Sequence, residues 1–363
     1  MDDDVENHIV KRFHLHKKIG KGAYGVVFKA TDKKTKEVVA LKKLYGAFRD
    51  DTDAQRTFRE VMLLQELNGH DNIIRLLNVI KAENDVDLYL IFEYMEADLY
   101  NVIRAGILQD VHKKFIIYQL LKAIKFLHSG DIIHRDLKPS NVFINSDCQI
   151  KIGDFGLART VSSGKKGFKS IITDYVATRW YRAPEMLMGS SKYTKPIDMW
   201  SVGCILYELI TAKPLFPGKS TKHMFGLVLE VTGLPDKAEY EEIKKKYELM
   251  IEYHMFDKFQ RKSIKQLVGI YTKDPATLDF LSKLLTFNPD KRMTVEDALS
   301  HPYMSEFHNP NEEITCEKKV TIPIDDSLKF SLDEYRAKLY DEILKRKMEI
   351  RKRLIESTKK NNG

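Results

Sequence analysis

Residues 132–159, I-I-H-R-D-L-K-P-S-N-V-F-I-N-S-D-C-Q-I-K-I-G-D-F-G-L-A-R, decide the reading of this chain. Two carboxylates, Asp136 and Asp154, bracket an ammonium, Lys138, and an amide, Asn141. Asn141 and Asp154 offer hard oxygen donors, the kind magnesium takes alongside substrate phosphates. Asp136 is placed to accept a proton from an attacking hydroxyl, and Lys138 to steady a transferring phosphoryl group. The apolar runs Ile132-Ile133, Val142-Phe143-Ile144 and 150–152 read as short buried strands that hold the polar loop rigid.

Composition sets the outer bounds. A chain of 363 residues, 43% hydrophobic and 31% charged, suits a soluble globular protein with a large core split into two unequal lobes. No apolar run approaches the roughly 18–20 residues of a membrane helix, so no membrane contact is expected. The acidic start, Met1-Asp2-Asp3-Asp4-Val5-Glu6, lacks the apolar core of a secretory signal. Cys148, Cys204 and Cys316 are too few and too scattered for a disulfide framework or a zinc site, which points to a reducing, intracellular setting. The net charge of +8 comes without a nucleic-acid motif, and is read as mostly solvated surface.

Upstream of the loop the pattern is strand-like. Val26-Val27-Phe28 and Val38-Val39-Ala40-Leu41 flank the turn-prone Thr31-Asp32-Lys33-Lys34. Gly20-Lys21-Gly22-Ala23-Tyr24-Gly25 is a G-x-G-x-x-G followed by a strand and not a helix, which favours a hairpin lid over phosphates. Residues 52–67 carry a helical apolar face of Phe58, Val61, Met62, Leu64 and Leu67, with Glu60 as a candidate partner for Lys42. Strands return at 73–80 and 88–92, and helical periodicity begins past Met95. Residues 111–128 are amphipathic and stop at Ser129-Gly130, where a left-handed glycine would end the helix. Asp274-Pro275 and Thr294-Val295-Glu296-Asp297 are helix starts, the second a capping box with Asp in the place of Glu. From Ser331 one amphipathic helix is expected, capped by Ser331 and Glu334, with Leu332, Tyr335, Leu339, Ile343 and Leu344 as its apolar stripe. Its basic runs, Lys345-Arg346-Lys347 and Arg351-Lys352-Arg353, read as the solvated face of a helix that wraps the rest, with nuclear import as the alternative.

H-R-D-L-K-P-S-N followed by D-F-G resembles the protein-kinase signature. The likeness runs from about Phe13 to His301. Within it, T-D-Y-V-A-T-R-W-Y-R-A-P-E (173–185) is similar to the mitogen-activated protein kinases. Its middle Asp resembles the atypical branch called extracellular-signal-regulated kinase seven/eight, or MAP kinase fifteen.

This resemblance implies an α+β, bilobal protein-kinase fold, with a β-rich N-lobe (13–95) and a mainly helical C-lobe (96–304). An acidic extension (1–12) would precede it, and a C-terminal extension (305–363) would carry a docking patch and the basic helix. It implies a proline-directed Ser/Thr kinase using ATP and Mg2+, with Asp136, Lys138, Asn141, Asp154, Lys42 and Glu60 as the catalytic set. Asn141 and Asp154 would hold the metal. Ile19, Gly20, Lys21, Gly22, Ala23, Tyr24, Gly25, Val26, Val27, Ala40, Lys42, Phe92, Glu93, Met95, Asp98 and Phe143 would line the nucleotide. Phe92 would guard the deeper pocket, Asp98 would touch the ribose, and Phe143, where leucine is common, would floor the adenine. Thr173 and Tyr175 would be phosphorylated, and Arg59, Arg135, Arg159, Arg179 and Arg182 would receive the phosphates. Asp198-Met199-Trp200 would anchor the catalytic loop, and Glu185 would pair with Arg292. Glu312, Glu313 and Asp147 would dock basic peptides, with Asn309 standing where an acid is typical. Partners are then Ser-Pro and Thr-Pro proteins and docking peptides, with no direct nucleic-acid contact and a monomer expected. The location would be cytoplasmic and also nuclear. A kinase fold acting only as a scaffold is the alternative, disfavoured because Lys42, Asp136, Asn141 and Asp154 are all present.

Overall fold

The computed structural model describes residues 5–22, 25–161, 179–253, 261–324, 328 and 330–361. The chain forms two compact units, each with its own core. Helices and strands are numbered in chain order.

The first unit takes residues 1–68, 75–94 and 322–363. It holds α1 (Asn7–Arg12), β1 (Phe13–Gly22), β2 (Gly25–Asp32), β3 (Val38–Leu44), α2 (Asp51–Glu66), β4 (Leu76–Lys81) and β5 (Leu88–Glu93). The strands form one antiparallel sheet in the order β1-β2-β3-β5-β4. In β2 the burial alternates residue by residue, as a strand with one covered face must. Val26, Phe28 and Ala30 fall on the core side with Val39, Leu41 and Ile91. Helix α2 starts on Asp50, whose carboxylate accepts the Thr52 and Asp53 amides at 2.9 Å each.

The last helix, α12 (Leu332–Asn361), belongs to this unit. Ser331 and Glu334 make the expected capping box, with the Ser331 amide donating to the Glu334 carboxylate at 2.9 Å. Tyr335, Leu339 and Ile343 are buried, and Tyr335 packs on Phe58 of α2 with ring centroids 6.2 Å apart. Arg346 donates to Glu66 at 3.0 Å. Leu344 was expected in the stripe but is 59% exposed. It lies next to Ile343 on the helix, and successive residues are turned about 100° apart, so one of the two has to face away.

The second unit takes residues 69–74 and 95–321. Its elements are β6 (Ala97–Asp98), α3 (Leu99–Ala105), α4 (Asp110–Ser129), β7 (Ile132–Ile133), β8 (Val142–Ile144), β9 (Ile150–Ile152), β10 (Arg159–Thr160), α5 (Pro184–Leu187), α6 (Pro196–Thr211), α7 (Thr221–Thr232), α8 (Lys237–Tyr247), α9 (Ile264–Val268), α10 (Pro275–Leu284) and α11 (Val295–Leu299). The segment 69–74 joins it because Asn72 donates to Gln119 at 3.0 Å and to the Ile150 carbonyl at 2.9 Å. Ile73 accordingly bridges Ile152 instead of starting β4.

Two helix ends differ from expectation. Gly130 is not left-handed (φ −81°); Asp131 takes that conformation instead (φ 59°). Space is tight at 130, since a Cβ there would sit 3.2–3.3 Å from Val320 and Cys316 side-chain atoms. At α11 the Thr294 hydroxyl accepts the Asp297 amide at 3.2 Å. The Asp297 carboxylate takes that hydroxyl, at 2.7 Å, in place of the Thr294 amide that a full capping box uses. Asp274 caps α10 as expected. Among the described residues no helix is long and apolar enough to cross a membrane.

Truncating Tyr335 to Ala should therefore open a void under α12 and cost about 3–5 kcal/mol. Leu344→Ala should stay within about 0.5 kcal/mol of the parent. Thermal unfolding of the two variants checks the contrast.

Candidate active site

Each unit holds part of the expected set of residues. In the first, Lys42 of β3 reaches Glu60 of α2, Nζ to Oε1, at 3.4 Å. The Glu60 side chain is 7% exposed and that of Lys42 27%, so the pair is sheltered on the helix side. The sheet register places Val27 opposite Lys42, and Ala40 two residues before Lys42 on the same face. Val26 points the other way, into the core at 0% exposure. Strand alternation turns only one of the two valines to the face of Lys42, and that one is Val27.

The glycine-rich segment is the hairpin expected of it. Gly22 pairs with Gly25 across the β1–β2 turn. A Cβ on Gly25 would lie 2.1 Å from the Lys43 carbonyl oxygen, which no side chain can do. Ile19 and Lys21 are exposed, and Gly20 sits against Val27. Ala23 and Tyr24 lie outside the described residues. Phe92 is buried on β5 opposite Ala40. The Glu93 amide donates to the Arg75 carbonyl at 3.2 Å, and its carboxylate accepts the Arg75 amide at 2.7 Å.

In the second unit the loop between β7 and β8 gathers the predicted set. Lys138 Nζ lies 2.7 Å from Asp136 Oδ2, and Asn141 Nδ2 lies 3.1 Å from the same oxygen. Asn141 also donates to the Asp136 carbonyl at 2.9 Å. Its amide nitrogen is thus committed to Asp136, and its carbonyl oxygen is the atom it can offer a metal. Asp154 follows β9 in the left-handed region (φ 61°, ψ 69°). Gly153 before it donates to the Asn141 carbonyl at 2.9 Å and accepts from His134 Nε2 at 3.0 Å.

The loop hangs on Asp198 of α6, which is fully buried. Its carboxylate accepts the His134 and Arg135 amides at 2.9 Å each, and the His128 imidazole at 3.0 Å. Behind it, Arg292 grips Glu185 with two bonds of 2.9 and 3.0 Å, both side chains buried. That is the fork geometry a guanidinium makes with a carboxylate. The Tyr181 hydroxyl donates to buried Glu208 at 2.6 Å, and the Ser201 hydroxyl to the Tyr181 carbonyl at 2.9 Å. The roles of His128, His134 and Glu208 are not legible in sequence, since the partners of these side chains, Asp198, Gly153 and Tyr181, meet them only on folding.

The remaining candidates are spread out. Met95 is buried, and Asp98 caps α3 by accepting the Asn101 amide at 2.8 Å. Phe143 is half-buried on β8. Arg135 and Arg159 converge on the Leu157 carbonyl, at 3.1 and 3.4 Å, while Arg59 is buried on α2. Arg179 donates to Thr221 at 2.8 Å, and the Arg182 amide to the Arg179 carbonyl. Thr173 and Tyr175 fall outside the described residues. Asp147 and Glu312 are exposed, but Glu313 is buried. Its side chain is 1% exposed and its carboxylate is taken by Lys125 (3.3 Å) and His308 (2.7 Å).

Burial alone would raise the Asp198 carboxyl. The bond from the His128 imidazole, the electrostatic pull of the neighbouring imidazoles and the Arg135 amide outweigh it, so its folded value lies below the usual one. Its contribution to stability is then complete above about pH 4 and is lost as pH falls through the lowered folded value. The melting temperature should fall steeply on the acid side of about pH 4, and Asp198→Asn should flatten that limb. A melting series across the acid range measures both.

Residues 13–304 match the family model described as Protein kinase domain. Extracellular signal-regulated kinase 2 of Dictyostelium discoideum is 52% identical over 98% of this chain and 96% of its own length. Mitogen-activated protein kinase 15 of Xenopus laevis is 50% identical over 98% of this chain but only 61% of its own. The same-named protein of Caenorhabditis elegans is 49% identical, over 96% of this chain and 74% of its own. The sheet-rich unit with its lysine–glutamate pair, the helical unit with its buried loop anchor and these relatives agree: the chain belongs to the protein kinase family and, within it, to the mitogen-activated protein kinases.

Proposed function

We propose that this Ser/Thr kinase transfers the γ-phosphoryl group of ATP, with Mg2+, to hydroxyls that precede proline. The observation that carries the reading is the convergence of Lys138 and Asn141 on one oxygen of Asp136. Asp136 would orient the substrate hydroxyl and take its proton, and Lys138 beside it would balance charge on the transferring group. The oxygens of Asn141 and Asp154 suit a magnesium ion, which when bound neutralises phosphate charge. Lys42, held by Glu60, would position the α and β phosphates. Substrate choice rests on resemblance in the segment that continues through Arg179. It would present an unsatisfied carbonyl after the phosphoacceptor, and proline, lacking an N–H, loses nothing there.

Regulation by phosphate on Thr173 and Tyr175 belongs to the same proposal. Each phosphate adds about −1.5 to −2 charge, and Arg135 with Arg159 forms a basic pair in the second unit to receive it. Self-phosphorylation is the favoured route. The basic run at Lys345-Arg346-Lys347 is drawn into its own unit: Lys345 pairs with Asp341 and Glu342, and Arg346 with Glu66. This favours a wrapping role over nuclear import. A cytoplasmic and nuclear location is proposed on the family likeness alone.

Asp136→Asn should bind ATP normally and lose about two to four orders of magnitude in turnover of a Ser-Pro peptide. Made in bacteria, it should carry unmodified Thr173 and Tyr175. Turnover near wild type, a peptide library without proline preference, or a fully phosphorylated lip on this variant would each contradict the corresponding part.

The docking patch proposed is Glu312 with Asp147, which are exposed, whereas Glu313 is buried. Exposed pairs contribute only about 0–1 kcal/mol each, so Glu312→Lys with Asp147→Lys should raise KM severalfold for a substrate with a basic docking motif. A short Ser-Pro peptide should be unaffected. Glu313→Lys should instead destabilise the fold, because it buries a cation beside Lys125.

A further inference from the structure

Gly153 precedes the metal-ligand candidate Asp154, and both of its peptide groups are held by the catalytic loop: its amide by the Asn141 carbonyl and its carbonyl by His134. Its φ is not positive, so backbone conformation does not require glycine there. Space does. A Cβ at 153 would stand 2.7 Å from Cε2 of Phe143, 3.5 Å from its Cδ2 and 3.1 Å from Cγ2 of Ile74. The ring edge of Phe143 occupies the volume that any other residue at 153 would need.

Neither backbone can give way. Gly153 is pinned as described, and Phe143 lies in β8, paired with Asp98 of β6 on one side and Lys151 of β9 on the other. A side chain at 153 must therefore turn the Phe143 ring. We infer that Phe143 and Gly153 are a matched pair that fixes how this kinase holds the base of its nucleotide. The glycine gives up its side chain so that a phenyl ring, broad enough for a purine to stack on, can set its edge against the residue that leads into Asp154. The inference rests on the reading of ATP as the ligand and deepens it.

The atoms specify the test. The clash at 153 is with Cε2, which leucine lacks, while the Cδ2 contact is ordinary van der Waals packing. Gly153→Ala should raise KM for ATP about tenfold through displacement of the ring. Phe143→Leu should raise it about threefold, through loss of stacking surface. The double variant should fall close to Phe143→Leu, because alanine at 153 then meets no Cε2 and keeps only the 3.1 Å approach to Ile74 Cγ2. Melting temperatures without nucleotide should follow the same cycle, with Gly153→Ala lower by about 2–4 °C and the double variant recovered. KM effects that multiply, or a Gly153→Ala enzyme with wild-type KM, would overturn the pairing. A wild-type chain that bound no ATP by calorimetry would instead overturn the functional reading, and the role of the pair in holding a nucleotide with it. In that case the melting cycle would still report whether the two residues touch.

Discussion

The second unit is organised around one buried carboxylate. Asp198 gives up its water and in return receives two backbone amides and an imidazole, all from segments flanking the catalytic loop. A buried charge is tolerated only with such compensation, and removing either side of the arrangement exposes the cost. The amides of His134 and Arg135 immediately precede Asp136. The charge that α6 holds in the core therefore fixes the backbone from which the reacting carboxylate projects. Arg135 has a positive φ of 68°, a conformation that a non-glycine residue keeps only when its surroundings impose it.

The same loop is tied forward as well as back. His134 donates from Nε2 to Gly153 and accepts the Asp136 amide at Nδ1, so one ring links the Asp136 segment to the Asp154 segment. Asn141 adds a second link, its carbonyl to Gly153 and its amide to Asp136. The segments that carry the two carboxylates are thus tied to each other by backbone, amide and imidazole bonds. In phosphoryl transfer the protein contributes mainly positioning and charge, and this framework supplies positioning. The Lys42–Glu60 pair does the same in the first unit, where α12 backs the helix that carries Glu60 through Tyr335 and Phe58.

Local pattern carried much of this. The strands around the loop, the capping of α10 and α12 and the hairpin form of the glycine-rich segment were legible, because each depends on neighbours within a few residues. The reach of Lys42 to Glu60 and of Arg292 to Glu185 was legible only through family likeness, since nothing local links positions so far apart. What failed, failed for tertiary reasons. Gly130 was read as a left-handed cap, but its constraint is the close approach of Cys316 and Val320. Glu313 looked like a surface acid because its chemical partners, Lys125 and His308, are visible only after folding. Val26 and Val27 were both assigned to the nucleotide, although a strand can turn only one of them to the face of Lys42.

The central claim is that the Asp198 carboxylate acts on catalysis through the geometry of the loop and not through ligand binding. Asparagine at 198 keeps the shape but offers one acceptor oxygen, and sets an amide donor against a backbone N–H. The direct measurement is a single-turnover rate of γ-phosphoryl transfer for Asp198→Asn beside wild type, with the ATP dissociation constant taken on the same preparations. The account predicts a chemical step slowed by about a hundredfold, as displacement of a reacting group by about 1 Å would give, with ATP affinity within about twofold. An unchanged chemical step in a folded Asp198→Asn protein would contradict it.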